Sequence, residues 1–513
     1  MQLIYEMGLT ESVRPVLCLQ ENTVTGAADG YGRMAGKPAF TLLHVGSGFA
    51  NGIANLHNAG RADTPIVNIV GANASYHQHH FPEHELIGGK ISELTRAVSH
   101  WTHEAKSASD LAVLGTMAVR YAQIGSGKIC TVIAPTDCHW DPASATPESV
   151  GTMSPIRVSP DTVAEAVSRL HEDKKTAILL GGHALRGAGL ELAGKISAKT
   201  GVPLLAETFP SRMSRGEGNV PVPLVPYLVD MALQFLENYD QLILVGAREP
   251  VATFAYQNMP TTKLPSGCEV WTYTTADHEM QHALEALVSA LGAEDEMPPR
   301  QAYEEPAVPE GTLTADAVAA SVSLLMPEDT ILVDEAGTMG PSIVAQTMDA
   351  RRHDYLYSIC GAAIGAGLPI ALGASVACPN RKVLAMQADG SGMYTVQALW
   401  SIAREKCNTT IVILKNEQYG ILNVELARVR ETDPTDKMLS MLRLDNPSID
   451  WVQMAEGLGV SACHAETAEQ FHRELKQAIS AKGPHLIEAK ITQDLQPAIE
   501  FIMKESSARR NST

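Results

Sequence analysis

The sequence predicts an α/β protein of three consecutive, doubly wound parallel-sheet domains. Two observations carry this reading. Short apolar, β-branched runs alternate with helix-period patterns along the chain, and continuous apolar strands of that kind belong to parallel sheets covered on both faces. Two stretches, DPASATPESVGTMSPIRVSP (141–160) and AEDEMPPRQAYEEPAVPEGT (293–312), have a composition that cannot build a core and read as boundaries. A chain of 513 residues also exceeds what a single core supports. The resulting segments are 1–145, 160–292 and 313–495, followed by a polar tail, 496–513, whose KESSARRNST end reads as frayed.

Taken in order, the first segment offers FTLLHV, IVNIVG and ICTVIA as strands. The second offers TAILLGG, VPLLAE and LILVGA, and the third TILVDE, KVLAMQADG, TTIVILKN and HLIEAKI. Hydrophobic residues make up 45% of the chain, enough for large cores, and no apolar run approaches the length that spans a bilayer. The opening MQLIYEMGLTESVRP lacks the order of a signal peptide, so the expected location is cytoplasmic, with an organelle matrix left open. A formal charge of −19 argues against nucleic acid. The eight cysteines contain no CxxC pair and read as reduced core thiols.

The stretch QADGSGMYTVQALWSIAREKCNTTIVILKNEQYG (387–420) carries the first chemistry. It reads as strand, helix, strand, with Met393, Val396, Leu399, Trp400 and Ala403 forming one buried stripe. A right-handed crossover brings the carboxyl ends of two parallel strands together, so Asp389 and Asn416 share one rim. A carboxylate, an amide oxygen and a backbone carbonyl suit Mg²⁺, and the amides opening at Gly390 and Ser391 suit a phosphate. The bland alternative is a βαβ turn with an Asp cap.

Asp389-Gly390-Ser391, with Asn416 twenty-seven positions after Asp389, resembles the thiamine-diphosphate fingerprint, which typically begins Gly-Asp-Gly and ends in Asn. Here Ala388 replaces the first Gly, and Lys415 stands where a paired Asn is common. The resemblance implies Asp389, Asn416 and the Gln418 carbonyl as Mg²⁺ ligands, and Gly390, Ser391 and Tyr419 as cofactor contacts. ENTVTGAADGYGRMAGKP (21–38) resembles the segment holding the catalytic Glu of acetolactate synthases and benzoylformate decarboxylase. The role implied for Glu21 is proton exchange with the aminopyrimidine ring nitrogen, which yields the imino tautomer that deprotonates the thiazolium C2. YSICGAAIGAGLPIALGASVA (357–377) is the third match. It implies Ile364 as the aliphatic wedge bending the cofactor and the Ala362 carbonyl beside the amino group; a glycine-rich helix packing on a sheet describes the same residues.

The resemblance spans all three segments in the order pyrimidine-binding, middle, diphosphate-binding. Glu21 and Asp389 lie 368 positions apart yet must reach one cofactor, which in the family happens between subunits. A homodimer or homotetramer follows, with no nucleic acid or membrane partner. Met1 falls inside the pyrimidine-binding domain, so the family's first strand, helix and Pro-Gly-Thr/Ser loop are expected ahead of it.

His44 resembles a proton-handling His of benzoylformate decarboxylase; a satisfied strand-end His reads equally well. The His77–His84 cluster, within YHQHHFPEHE, shows no metal-ligand spacing and reads as a solvated loop. Ala247-Arg248-Glu249-Pro250 stands where acetolactate synthases carry an FAD-binding segment, which argues against FAD. Phe254, Ala255 and Tyr256 occupy the neighbourhood of the decarboxylase's second His. Val424 and Glu425 stand where its aromatic wall falls, and the synthase Trp is absent too.

The expected activity is decarboxylation of a 2-oxo acid through a cofactor-bound enamine, giving an aldehyde or a carboligation product. The alternatives are acetolactate synthesis from two pyruvates and, in another class, a non-catalytic cofactor-binding or scaffold protein.

Overall fold

The structure is a computed structural model that describes residues 2–144, 153–257, 259–429 and 432–510, for 505–510 the backbone alone. Residues 145–152 of the first expected boundary and 511–513 of the tail lie outside the described residues.

Every predicted run contributes a strand, and the three sheets of the described residues add Trp101–Glu104, Glu269–Thr274, His353–Tyr357, Ser461–Ala465 and Met213–Arg215, which the runs do not predict. The first sheet holds Ala39–Leu43, Ile66–Ala72, Ile129–Pro135 and Trp101–Glu104 in that spatial order, all parallel. Its alternating side chains feed two cores: Leu43, Ile66, Val70 and Ile133 on one face, Val67, Cys130 and Val132 on the other. The second places Leu204–Ala206, Thr176–Leu180, Gln241–Val245 and Glu269–Thr274 side by side, again parallel and covered on both faces.

The third sheet has seven strands. Ser461–Ala465, His485–Lys490, Thr409–Lys415, Val383–Ala388, Thr330–Glu335 and His353–Tyr357 are parallel. The seventh, Met213–Arg215, comes from the middle stretch and pairs antiparallel with His353–Tyr357 at the edge. Buried Arg215 secures it, stacking on Tyr355 and donating to the Val344 carbonyl at 2.7 Å. Nothing in the three-residue MSR run signals a strand, because its pairing is entirely long-range.

Two helices tie the first segment to the third. Glu21–Ala35 crosses Gly367–Ala377 so closely that a Cβ on Gly26 would stand 2.6 Å from Pro369 Cβ. A Cβ on Gly30 would strike the Ile370 carbonyl, and one on Gly373 the Ala27 carbonyl. The small residues of both runs are therefore contact residues.

Two sequence expectations need correction. The single helix expected between Asp389 and Arg404 is three short pieces: a turn Asp389–Gly392, a 3₁₀ stretch Met393–Thr395 and a helix Ala398–Arg404. The buried set is Thr395, Ala398, Leu399, Ser401 and Ile402, while Met393 is exposed. Of the expected stripe, Leu399 is buried and Val396 and Ala403 pack against the same core, while Gly392 is so close to Trp451 that a Cβ there would meet the ring at 2.8 Å. The tail 496–513, expected to be polar and frayed over KESSARRNST, is helical over 496–510, with Ile502 fully buried ahead of that end.

Candidate active site

Asp389 follows the strand Val383–Ala388 and is 2% exposed. Its carboxylate accepts from the Gly390 amide at 2.8 Å and from the Glu417 amide at 2.9 Å. The second bond ties it to the end of the neighbouring strand, Thr409–Lys415, so the two carboxyl ends meet as the crossover rule requires. Burial raises the Asp389 carboxyl to about 6, against the pull of those amides and of Lys415. Asn416 turns its side-chain oxygen to the Gln418 amide at 3.3 Å and donates to Gln493 at 2.7 Å. Gln493 also donates to the Thr338 hydroxyl at 2.9 Å. Gly390 lies beneath Tyr419, whose ring a Cβ there would meet at 2.8 Å. Burial and the neighbouring Tyr394 raise the Tyr419 hydroxyl.

The loop carrying Ile364 joins this rim. Gly365 abuts Tyr394, with the Ser391 carbonyl beside it, and Thr395 donates to the Gly365 carbonyl at 2.9 Å. Ala362 is exposed and holds φ at +61°, a left-handed conformation costly for a residue with a Cβ. Asp389, Gly390, Ser391, Asn416, Gln418, Tyr419 and the Ala362–Ile364 loop thus form one surface at the carboxyl edge of the third sheet.

Glu21 opens its helix elsewhere. Asn51 donates to its carboxylate at 3.2 Å, and its other oxygen lies 3.3 Å from the position of a Cβ on Gly48. His44 borders the same glycine, at 3.4 Å, and its ring meets that of His84 edge-on at 5.2 Å. Glu21 and His44 therefore share one corner, and the His cluster contributes His84 to it. Gln493, Thr338 and Tyr394 carry no sequence signal, since their partners are distant in the chain, while His84 belongs to the His cluster that reads as a solvated loop.

A model of the thiamine pyrophosphate enzyme C-terminal TPP binding domain matches residues 337–489, and one of the N-terminal TPP binding domain matches 1–94. IlvX of Mycobacterium tuberculosis (strain ATCC 25618 / H37Rv), named as a candidate acetolactate synthase large subunit, is 39% identical over 490 residues, 95% of this chain and 93% of its own. The chain belongs to the thiamine pyrophosphate enzymes.

Benzoylformate decarboxylase of Pseudomonas aeruginosa is 29% identical over 520 residues, covering 97% of this chain and 95% of its own. The solved thiamine diphosphate-dependent 4-hydroxybenzoylformate decarboxylase of Rhodococcus jostii RHA1 superposes with a TM-score of 0.81 at 26% identity, over 96% of this chain and 95% of that one. The chain is thus an enzyme of the decarboxylase and acetolactate synthase-like group, and these likenesses lend no support to a non-catalytic scaffold. No helix among the described residues is long and apolar enough to cross a membrane.

The rim fits the diphosphate end of the family's cofactor. A buried carboxyl raised by desolvation and by the Glu417 charge, and met by backbone amides and the Lys415 charge, gains from a hard cation. Gly390 has no room for a side chain, because a Cβ there would meet the Tyr419 ring at 2.8 Å and Leu444 at 2.9 Å.

Proposed function

We propose that this thiamine pyrophosphate enzyme decarboxylates a 2-oxo acid, releasing CO₂ and giving an aldehyde or a carboligation product. The observation that carries the reading is the hydrogen bond from the Glu417 amide to Asp389, which sets the Asp389 carboxylate beside Asn416 at the ends of adjacent strands. Asp389, Asn416 and the Gln418 carbonyl would hold Mg²⁺ against the diphosphate, beside Gly390, Ser391 and Tyr419. Bound thiamine diphosphate supplies a carbon nucleophile and a sink for the electron pair that CO₂ leaves behind.

The chain's own residues do the rest. Glu21 exchanges a proton with the pyrimidine ring nitrogen, and a carboxyl suits that exchange. His44, with His84 against it, handles protons near the substrate. Ile364 would press against the bound cofactor, and the Ala362 carbonyl would accept from its amino group.

Among the described residues the Glu21 carboxylate accepts from Asn51 and bonds to no rim residue, which supports a homodimer whose sites would join Glu21 of one protomer to Asp389 of its partner. Domains 1–145, 160–292 and 313–495 then take the pyrimidine-binding, middle and diphosphate-binding roles. The eight cysteines are free, which supports a reducing compartment such as the cytoplasm.

Acetolactate synthesis is the second reading, favoured by the 39% identity to IlvX. Purified protein with thiamine diphosphate, Mg²⁺ and a panel of 2-oxo acids separates the two. Aldehyde alone supports decarboxylation, and acetoin-type colour from pyruvate supports the synthase. No CO₂ from any acid, with the cofactor bound, overturns both.

A further inference from the structure

The loop Gly361–Gly367 is gripped from two sides by buried side chains that lie far away in sequence. From the first segment, Asn58 accepts from the Gly361 amide at 3.0 Å and the Ala363 amide at 3.3 Å. Its amide nitrogen donates to the Ala363 carbonyl at 2.7 Å and to Asn55 at 3.1 Å. Asn55 in turn spans the Asn22 carbonyl, at 2.8 Å, and the Gly365 carbonyl, at 3.3 Å. From the third sheet, Glu335 accepts from the Gly365 amide at 2.6 Å, the Ala366 amide at 2.8 Å and the Gly367 amide at 2.5 Å. Asn55 and Asn58 are fully buried and Glu335 is 3% exposed.

The Glu335 carboxylate meets these three amides and the Ser391 side chain, and burial raises its carboxyl. Capping the helix Gly367–Ala377 would need no more than a Ser or Asp at its own start. The chain instead spends a strand-end Glu and a second segment's Asn on the few residues around Ile364. Between the two anchors sits Ala362 at φ +61°, a conformation that persists only where its surroundings over-determine it.

Resting on the proposed cofactor role of Ile364, we infer that Asn58 and Glu335 are positioning residues that hold this loop and thereby set Ile364 against bound thiamine diphosphate. Neither touches the cofactor. Because Asn58 belongs to the first segment, the wedge is placed jointly by the packing of the first and third segments.

The test uses the full-length protein loaded with thiamine diphosphate and Mg²⁺. Two quantities are read for wild type, Glu335→Gln and Asn58→Ala: the cofactor Kd by calorimetry, and the exchange of the cofactor's C2 proton with D₂O by quenched NMR. In Glu335→Gln one acceptor oxygen becomes an NH₂ that faces backbone donors, while Asn58→Ala empties the opposite anchor. Misplacing the wedge should slow exchange roughly tenfold to a hundredfold in both variants. In Asn58→Ala the Kd should stay within about threefold, since among the described residues the Asn58 side chain bonds only to Asn55, Gly361 and Ala363 and leaves the diphosphate rim untouched.

Exchange at the wild-type rate in a folded variant overturns the inference. So does a parallel loss of exchange and affinity in both variants, which marks a merely structural role. If one variant fails to fold, the other decides by the same criteria. A wild-type chain that binds no cofactor overturns the proposed function itself, and with it this role.

Discussion

At the residue scale, Asp389 is held ready for a charge partner that the protein does not supply. The Lys415 charge acts on it, but the ammonium itself donates to the Ile449 carbonyl at 2.7 Å and faces Glu488 at 3.3 Å. Asp389→Asn keeps shape and burial while removing the carboxylate. The expected outcome is a loss of roughly a hundredfold or more in Mg²⁺-dependent cofactor affinity, with the unliganded fold intact. Calorimetric titration with and without Mg²⁺ checks it; an unchanged affinity would remove Asp389 from the ligand set. Glu21→Gln should behave oppositely, losing turnover while diphosphate binding persists, because among the described residues the Glu21 carboxylate bonds to Asn51 and to none of the rim residues.

At the scale of elements, the crossing of Glu21–Ala35 on Gly367–Ala377 holds both chemical corners in register. Its closest contacts are a glycine of each helix against the other's carbonyl, with no room for a methyl group. Gly373→Ala should destabilise the protein by about 1–3 kcal/mol through overpacking. Urea unfolding should report the loss, accompanied by weakened turnover as the helices part. Both glycine-rich runs were visible in the chain, and their small residues predicted close packing. Their mutual partnership was not, since nothing local in GAADGYG names a partner more than three hundred positions away. The helix after Asp389 is broken beside a similar contact, Trp451 against Gly392, which period alone cannot foresee.

At the scale of the whole molecule, the two corners predict complementation. Inactive Glu21→Gln and Asp389→Asn chains, mixed under conditions that exchange subunits, should recover roughly a quarter of wild-type activity, since half the dimers gain one intact site. No recovery after proven exchange would place both groups in one protomer's site. A second molecular property lies where the segments meet. Glu207 is half-buried, with the Gly182 and Arg248 amides, the Arg248 guanidinium and Asp63 around it. Burial raises its carboxyl from an ordinary 4.5 to about 7. The folded state therefore keeps a proton that the unfolded chain has already lost. Stability from this group is complete below about pH 4.5 and fades as pH rises through about 7, by roughly 1–3 kcal/mol. Thermal unfolding across that window should show a shallower fall in Glu207→Gln; an identical slope would locate the titration elsewhere.

What the sequence determined by itself is whatever is encoded locally. Continuous β-branched runs specified parallel strands with two covered faces. Asp389 and Asn416, each ending such a run, specified a rim, because a crossover of that length has one hand. The Glu21 and Ile364 segments added their resemblance. Only the tertiary structure decided the edge strand Met213–Arg215, the grip of Asn58 and Glu335 on the Ile364 loop, the link from Asn416 to Gln493 and the pairing of His44 with His84. Each is a hydrogen bond or contact between distant side chains, and a single chain read residue by residue carries no term for such pairs.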